Sequence, residues 1–149
     1  MSQPDRSDAM LSVESEMTRV LRGVRAALQQ NAERFSPELQ PSGYLVLGFL
    51  AKRHPAPPGE IIAQMGMDKS AVSRQLRILK DLGFVTSVPD PDDRRASLYA
   101  PTPETLARLA EIRDETHTVY AEVFDDWSDE DIAQLGRLLG AFNDRIERR

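Results

Sequence analysis

The segment from Asp68 to Leu82 constrains the fold more than any other part of the sequence, because its two faces differ sharply. Apolar side chains recur at the i, i+4 and i+7 spacing of one helix face, at Val72, Leu76 and Leu79. The opposite face carries hydroxyl and cationic side chains, which are Ser70, Ser73, Arg74, Arg77 and Lys80. The spacing therefore predicts an amphipathic helix that packs on one side and offers hydrogen-bond donors and positive charge on the other.

Short elements are predicted on both sides of this helix. A helix from Pro58 to about Met65 follows the rigid connector HPAPPG, and the tripeptide GMD forms the turn between the two helices. Gly83 lies where a helix commonly ends in the left-handed conformation. The sequence SVPDPDDRRASLYAPT then predicts two short strands around a charged turn, which is a β-hairpin.

The helical spacing of apolar residues predicts four further helices, over residues 10–35, 42–53, 103–124 and 128–146. The second is nearly unbroken in apolar residues from Tyr44 to Ala51 and is expected to be buried on most sides. The last begins with a capping box of Ser128 and Asp131. The apolar faces of the first and last helices are wider than a monomer with so short a core needs, and they indicate pairing between chains. The predicted fold class is mainly α (α+β).

Composition excludes several classes of protein. A chain of 149 residues is expected to form one folded unit, and the absence of cysteine excludes disulfides, thiolate zinc sites and cysteine nucleophiles. The longest apolar run is far shorter than the roughly 20 residues that cross a bilayer. With no signal-like N-terminus, the expected location is the cytoplasm. His54 and His117 lie on different segments, so neither a metal site nor a cofactor is predicted.

The net charge of −5 is distributed unevenly along the chain. Residues 69–95 contain six basic and four acidic side chains, whereas residues 114–131 contain eight acidic side chains and neither Lys nor Arg. A locally basic segment on an acidic body favours reversible binding to a polyanion. For the acidic segment, a solvated helix junction is favoured over a basic partner, and both interpretations stay open.

A short helix, a tight turn, an amphipathic helix and a hairpin together form a winged helix-turn-helix. The major groove of DNA admits one helix, whose N-terminal side chains meet base edges, and the hairpin tip then lies beside the minor groove. Base or phosphate contacts are predicted for six residues of the amphipathic helix: Lys69, Ser70, Ser73, Arg74, Gln75 and Arg77.

At two segments the sequence resembles the MarR family, the multiple-antibiotic-resistance type of bacterial regulators. The first is MDKSAVSRQLRILKDLGFV, and the second is PDPDDRRASLYAPTPE with its Asp-x-Arg signature. The resemblance implies that Asp93 orients Arg95 for the minor groove and that Arg94 contacts phosphate. The family usually has Leu-Thr and then a Pro-Glu-Gly turn after the hairpin, whereas this sequence reads Tyr99, Ala100, Pro101, Thr102, Pro103, Glu104, Thr105, with an extra proline and no glycine.

The resemblance also implies an organisation for the whole chain, as a single MarR-like domain over residues 1–149. Residues 10–35 and 104–149 are expected to form the dimerisation helices, and residues 41–102 the winged helix-turn-helix part. The implied function is that of a ligand-responsive regulator, most often a repressor, which binds a pseudo-palindromic operator on double-stranded DNA as a homodimer. A small, often aromatic effector is expected to release the DNA, and its binding residues stay unassigned.

The sequence leaves two alternatives to this function. A winged-helix module that binds proteins and no longer binds DNA would suit the acidic total, although Arg74, Arg77 and the hairpin disfavour it. A small helical enzyme is disfavoured because no nucleophile and base pair, no glycine-rich phosphate loop and no cluster of ligands is present in the sequence. The chain is therefore expected not to be an enzyme.

Overall fold

A computed structural model describes residues 5–93 and 95–148 of the chain, so that Arg94 lies outside the described residues. The described elements are α1 (Arg6–Phe35), α2 (Pro41–Lys52), α3 (Pro58–Met65), α4 (Lys69–Asp81), β1 (Val85–Pro89), β2 (Ser97–Pro101), α5 (Pro103–Val123) and α6 (Asp129–Glu147). The order of helices and strands predicted from the sequence is confirmed. None of the helices in the described part of the chain is both long and apolar enough to span a membrane.

Helix α2 lies at the centre of the hydrophobic core, as its apolar sequence predicts. Val46, Leu47 and Leu50 are completely buried, and they share one cluster with Ile61 of α3 and with the apolar face of α4. Pro41 begins α2 at a position where a backbone N–H would have no intrahelical partner. The core therefore holds α3 and α4 against one buried helix.

Side-chain caps set where three helices begin. Asp68 accepts a hydrogen bond from the Ala71 amide at 2.8 Å and starts α4. Thr102 accepts one from the Thr105 amide at 3.2 Å, immediately before Pro103 at the first position of α5. This cap and proline start α5 without the glycine that the family usually has there. Ser128 caps α6 by accepting a hydrogen bond from the Asp131 amide at 3.1 Å, which confirms the predicted N-cap, while its hydroxyl, not its backbone amide, donates to the Asp131 carboxylate at 2.7 Å.

The hairpin is a two-stranded antiparallel sheet with Val85 opposite Pro101 and Pro89 opposite Ser97. Gly83 has a φ of +76°, so the chain turns out of α4 through a left-handed residue directly before β1. On the other edge, Ala56 exchanges two backbone hydrogen bonds with Tyr99, at 3.0 and 2.9 Å. The connector between α2 and α3 thereby anchors the hairpin to the helical core.

The chain divides into two compact units, Met1–Ile112 and Arg113–Arg149, with the boundary inside α5. The first unit contains the hydrophobic core described above. In the second, α6 has no buried residue, and Phe124 packs edge-on against Trp127 with ring centroids 5.3 Å apart. The division into a DNA-binding part and dimerisation helices stays a prediction, because the two compact units of a single chain do not show which helices pair between chains.

Candidate nucleic-acid interface

One face of α4 is fully exposed and rich in cations. The residues on this face that the sequence predicted as DNA contacts are Lys69, Ser70, Ser73, Arg74 and Arg77, and each of them is exposed. Within residues 5–93 and 95–148, no hydrogen bond or ion pair engages the guanidinium of Arg74 or Arg77. Both cations are therefore free to meet an anionic partner without first breaking a contact inside the protein.

The opposite face fixes how α4 is presented. Val72 and Leu79 are completely buried and Leu76 nearly so, and α4 contacts both α2 and α3. Because buried side chains in a packed core occupy few rotamers, this face holds α4 rigidly. The cationic face is consequently displayed on a rigid helix, which is the arrangement that insertion into a groove requires.

Gln75 does not lie with the other predicted contacts, and its assignment as a DNA-contacting residue is corrected here. Its side chain is only 4% exposed and packs against α2, where its Oε1 atom lies close to Gly43. The spacing contained the signal, since Gln75 is three residues after Val72 and four before Leu79. The polar amide of Gln75 suggested the polar face of α4, whereas the helical spacing puts this residue on the buried face.

The turn of the hairpin is ordered by aspartate side chains. The Asp93 carboxylate accepts a hydrogen bond from the Arg95 backbone amide at 3.0 Å, and its carbonyl accepts one from the Ala96 amide at 2.9 Å. Asp93 thus shapes the backbone on which Arg95 is carried, in an Asx turn, rather than pairing with its guanidinium. Arg95 is exposed, and the predicted contact at Arg94 lies outside the described residues.

A contact between α4 and the hairpin was not predicted. The Lys80 ammonium donates a hydrogen bond to Ser87 Oγ at 2.7 Å, although seven residues separate them. The helical spacing puts Lys80 on the polar face of α4. It does not predict the partner of Lys80, because the direction in which β1 leaves the turn depends on tertiary packing. The contact joins the last turn of α4 to the middle of β1.

A groove of about 590 Å³ lies beside the exit from α4, between the end of α1 and the start of α5. Phe35 and Phe84 form its aromatic wall, with their ring centroids 5.0 Å apart and nearly perpendicular. The Arg108 guanidinium lies 5.6 Å from the Phe35 ring centroid and donates to the Arg34 carbonyl at 3.1 Å. Glu104 and Glu111 also line the groove. No local sequence pattern predicts this groove.

The titratable groups in the described ranges show no arrangement typical of catalysis. Burial raises the pKa of the Tyr44 phenol, and the positive charge of Arg34 partly opposes this, so the phenol is neutral at physiological pH. His54 Nδ1 lies 2.8 Å from the Leu50 carbonyl oxygen and is therefore occupied by the backbone. No group of three His, Asp or Glu side chains suited to a metal ion occurs among residues 5–93 and 95–148.

Known proteins are similar to this chain in sequence and in fold. A model of the MarR family matches residues 38–96, from just before α2 to the tip of the hairpin. The HTH-type transcriptional regulator YxaD of Bacillus subtilis (strain 168) is 28% identical over 131 residues, covering 88% of this chain and 90% of that protein.

Two crystal structures show the likeness of fold. The MarR family transcription regulator SP03579 has a TM-score of 0.86 at 18% identity, with 95% of this chain and 93% of that chain covered. The MarR transcriptional regulator from Methanosarcina mazei Go1 has a TM-score of 0.75 at 14% identity, with 92% and 98% covered. At these identities the two structures establish the architecture, which is the predicted winged helix-turn-helix with long terminal helices.

The family model covers α2, α3, α4, β1 and the tip of the hairpin. Regulators of this kind are DNA-binding proteins and not enzymes, which agrees with the exposed cationic face of α4. Residues 38–96 match the MarR family, and the described fold is the winged helix-turn-helix with long terminal helices that MarR-family structures have.

Proposed function

We propose that the chain is a repressor that binds a pseudo-palindromic operator as a homodimer and is released from it by a small-molecule effector. The observation that carries this proposal is the cationic face of α4, whose Arg74 and Arg77 have no partner among the described residues. An exposed face with uncompensated cations on a rigid helix suits the polyanionic major groove.

The proposed contacts divide into two groups. Arg74 and Arg77 are three residues apart on one helix face and are assigned to guanine edges or phosphates, while Ser70 and Ser73 donate to bases or phosphates. Lys69, at the first position of α4, is assigned to a phosphate. In the second group, Arg95 enters the minor groove from the hairpin, which we call the wing, and Asp93 shapes the turn that carries it.

A homodimer is supported by apolar side chains that a single chain leaves exposed on both terminal helices. On α1 they are Met10, Leu11, Val13, Val20, Leu21 and Val24, each at least half exposed. On α6 they are Ile132, Leu138, Leu139, Phe142 and Ile146. Contiguous apolar helix faces of this kind are rare on monomers and typical of interfaces. A dimer would also present two copies of α4 to the two half-sites of an operator.

Effector release is supported by the groove beside Phe35 and Phe84. Its volume of about 590 Å³ fits a small molecule. It is lined by residues 82–84, which join α4 to β1, so a ligand there contacts the link between the two DNA-binding elements. An aromatic ring would pack against the two phenylalanines, and Arg108 and the carboxylates of Glu104 and Glu111 supply polar partners.

The test is fluorescence anisotropy with labelled fragments from upstream of the protein's own gene, at two salt concentrations and with excess non-specific DNA. The parent should bind one fragment tightly, and Arg74→Ala or Arg95→Ala should weaken that binding by roughly tenfold or more, since a good base contact is worth about 1–3 kcal/mol. Arg137→Ala, on α6, removes one positive charge outside the winged part and is the matched control. Aromatic acids and amines titrated into the same complex would identify an effector by release of the fragment.

Equal affinity of the parent and both arginine variants for the operator would reject the assigned contacts. A parent that shifts no fragment, with or without candidate effectors, would favour the protein-interaction module considered from the sequence.

A further inference from the structure

We propose that Lys80 and Ser87 are positioning residues for DNA binding, and that their hydrogen bond sets the wing at a defined angle to α4. The Lys80 ammonium donates to Ser87 Oγ at 2.7 Å. In the part of the chain that the structure describes, it is the one side-chain hydrogen bond between α4 and either strand of the wing. The inference rests on the proposed use of Arg95 in the minor groove.

Along the chain, the two proposed DNA-binding elements are joined by a short connection, and the Ala56–Tyr99 pair also holds β2 to the helical core. The chain passes from α4 to β1 through Leu82, Gly83 and Phe84, and Gly83 has the left-handed φ of +76°. The turn is closed by backbone hydrogen bonds from Gly83 to the Lys80 carbonyl at 3.0 Å and from Phe84 to the Leu79 carbonyl at 2.9 Å. These bonds hold the connection itself and leave β1 to be oriented by other contacts.

Ser87 lies at the middle of β1, where a lateral contact affects the whole strand. It is opposite Tyr99 in the sheet, and two residues later Pro89 leads into the turn that carries Arg95. An attachment at Ser87 therefore limits rotation of the hairpin about Gly83. Since α4 and the wing must reach two grooves of one duplex together, a defined angle between them reduces the entropy lost on binding.

Lys80 could instead act as a direct phosphate contact, and the two roles have different signatures. Loss of a phosphate contact lowers the salt dependence of binding by about one unit of slope and weakens all sequences alike. Loss of a positioning contact lowers operator affinity and leaves the salt slope unchanged. Ser87→Ala separates them, because it removes the acceptor of the hydrogen bond and changes no charge.

The experiment is a double-mutant cycle of Lys80→Met, Ser87→Ala and the pair, measured by anisotropy on operator and non-specific fragments at several salt concentrations. Ser87→Ala should lower operator affinity by about three- to tenfold with an unchanged salt slope, and it should lower affinity for non-specific DNA less. Adding Ser87→Ala to Lys80→Met should cost little more, because the contact is already lost. Ser87→Thr keeps the hydroxyl and should bind as the parent does. Ser97→Ala, whose side chain makes no described hydrogen bond in β2, is the control.

Hydrogen–deuterium exchange of the free protein provides a readout that does not depend on DNA. Ser87→Ala should speed exchange in residues 85–89 and leave α2 unchanged. Operator affinity and exchange equal to the parent, or fully additive effects of the two substitutions, would overturn the inference. If Arg95→Ala weakens operator binding and Ser87→Ala does not, only the positioning role fails. If the parent itself binds no operator, the proposed function fails. In that case, hydrogen–deuterium exchange that is unchanged in Ser87→Ala would still show that the Lys80–Ser87 hydrogen bond does not hold β1.

Discussion

Gly43 lies where α2 passes close to the buried Gln75 of α4. A Cβ atom on Gly43 would lie 2.7 Å from Leu39 Cδ1 and 3.1 Å from Gln75 Oε1. Gly43→Ala should therefore lower the free energy of unfolding by about 1–3 kcal/mol, because a core contact this short forces neighbouring groups to move. Urea unfolding followed by circular dichroism measures the change.

Gly48 provides the matched control within the same helix. No atom lies within 4 Å of a Cβ built on Gly48, so Gly48→Ala should raise stability by roughly 0.5–1 kcal/mol through the better helix propensity of alanine. If Gly43→Ala were as stable as Gly48→Ala, the close packing of Leu39 and Gln75 around Gly43 would be wrong.

At the level of single elements, the Asp93 carboxylate shapes the part of the wing turn that carries Arg95. Asp93→Ala removes the acceptor for the Arg95 amide and should weaken operator binding by about three- to tenfold, because the turn loses a local hydrogen bond that presents Arg95. Asp93→Asn keeps a side-chain acceptor and should preserve most of the affinity. Anisotropy with the operator fragment measures both variants.

Asp92 separates the role of the turn from that of charge. Its carboxylate accepts no hydrogen bond in the described residues, so Asp92→Ala removes the same charge and leaves the turn intact. Removing a negative charge beside DNA should leave affinity unchanged or raise it slightly. If Asp92→Ala lost as much operator affinity as Asp93→Ala, loss of the Asx turn would not be the reason for the weaker binding.

At the scale of the whole molecule, the proposed dimer depends on apolar faces that one chain cannot cover. Phe142 is 42% exposed and Leu138 51% exposed on α6. A charge at either position would be buried without a partner in a dimer, so Phe142→Glu and Leu138→Glu should shift the protein toward a 16.7 kDa monomer and weaken operator binding. Sedimentation equilibrium over a concentration series measures the association.

Asn143→Glu adds the same charge at an exposed polar position of α6 and should leave the association unchanged. A parent that sediments as a monomer at all concentrations would contradict the dimer, and so would glutamate variants that associate as tightly as the parent.

Local sequence patterns are enough to predict the order of helices and strands and most of the exposed face of α4. These follow from local physics: the helical period of apolar residues, the caps at Asp68 and Ser128, and the turn residues around Gly83 all act over a few positions. Arg74 and Arg77 were found for the same reason, since the spacing from Val72, Leu76 and Leu79 puts them on the opposite face.

Which neighbours these faces contact depends on tertiary packing. Gln75 is polar, yet the approach of α2 at Gly43 buries it. Lys80 and Ser87 meet because β1 folds back beside α4, and the groove at Phe35 forms because three distant segments converge on it. These contacts join separate elements of the chain, so no local sequence pattern predicts them.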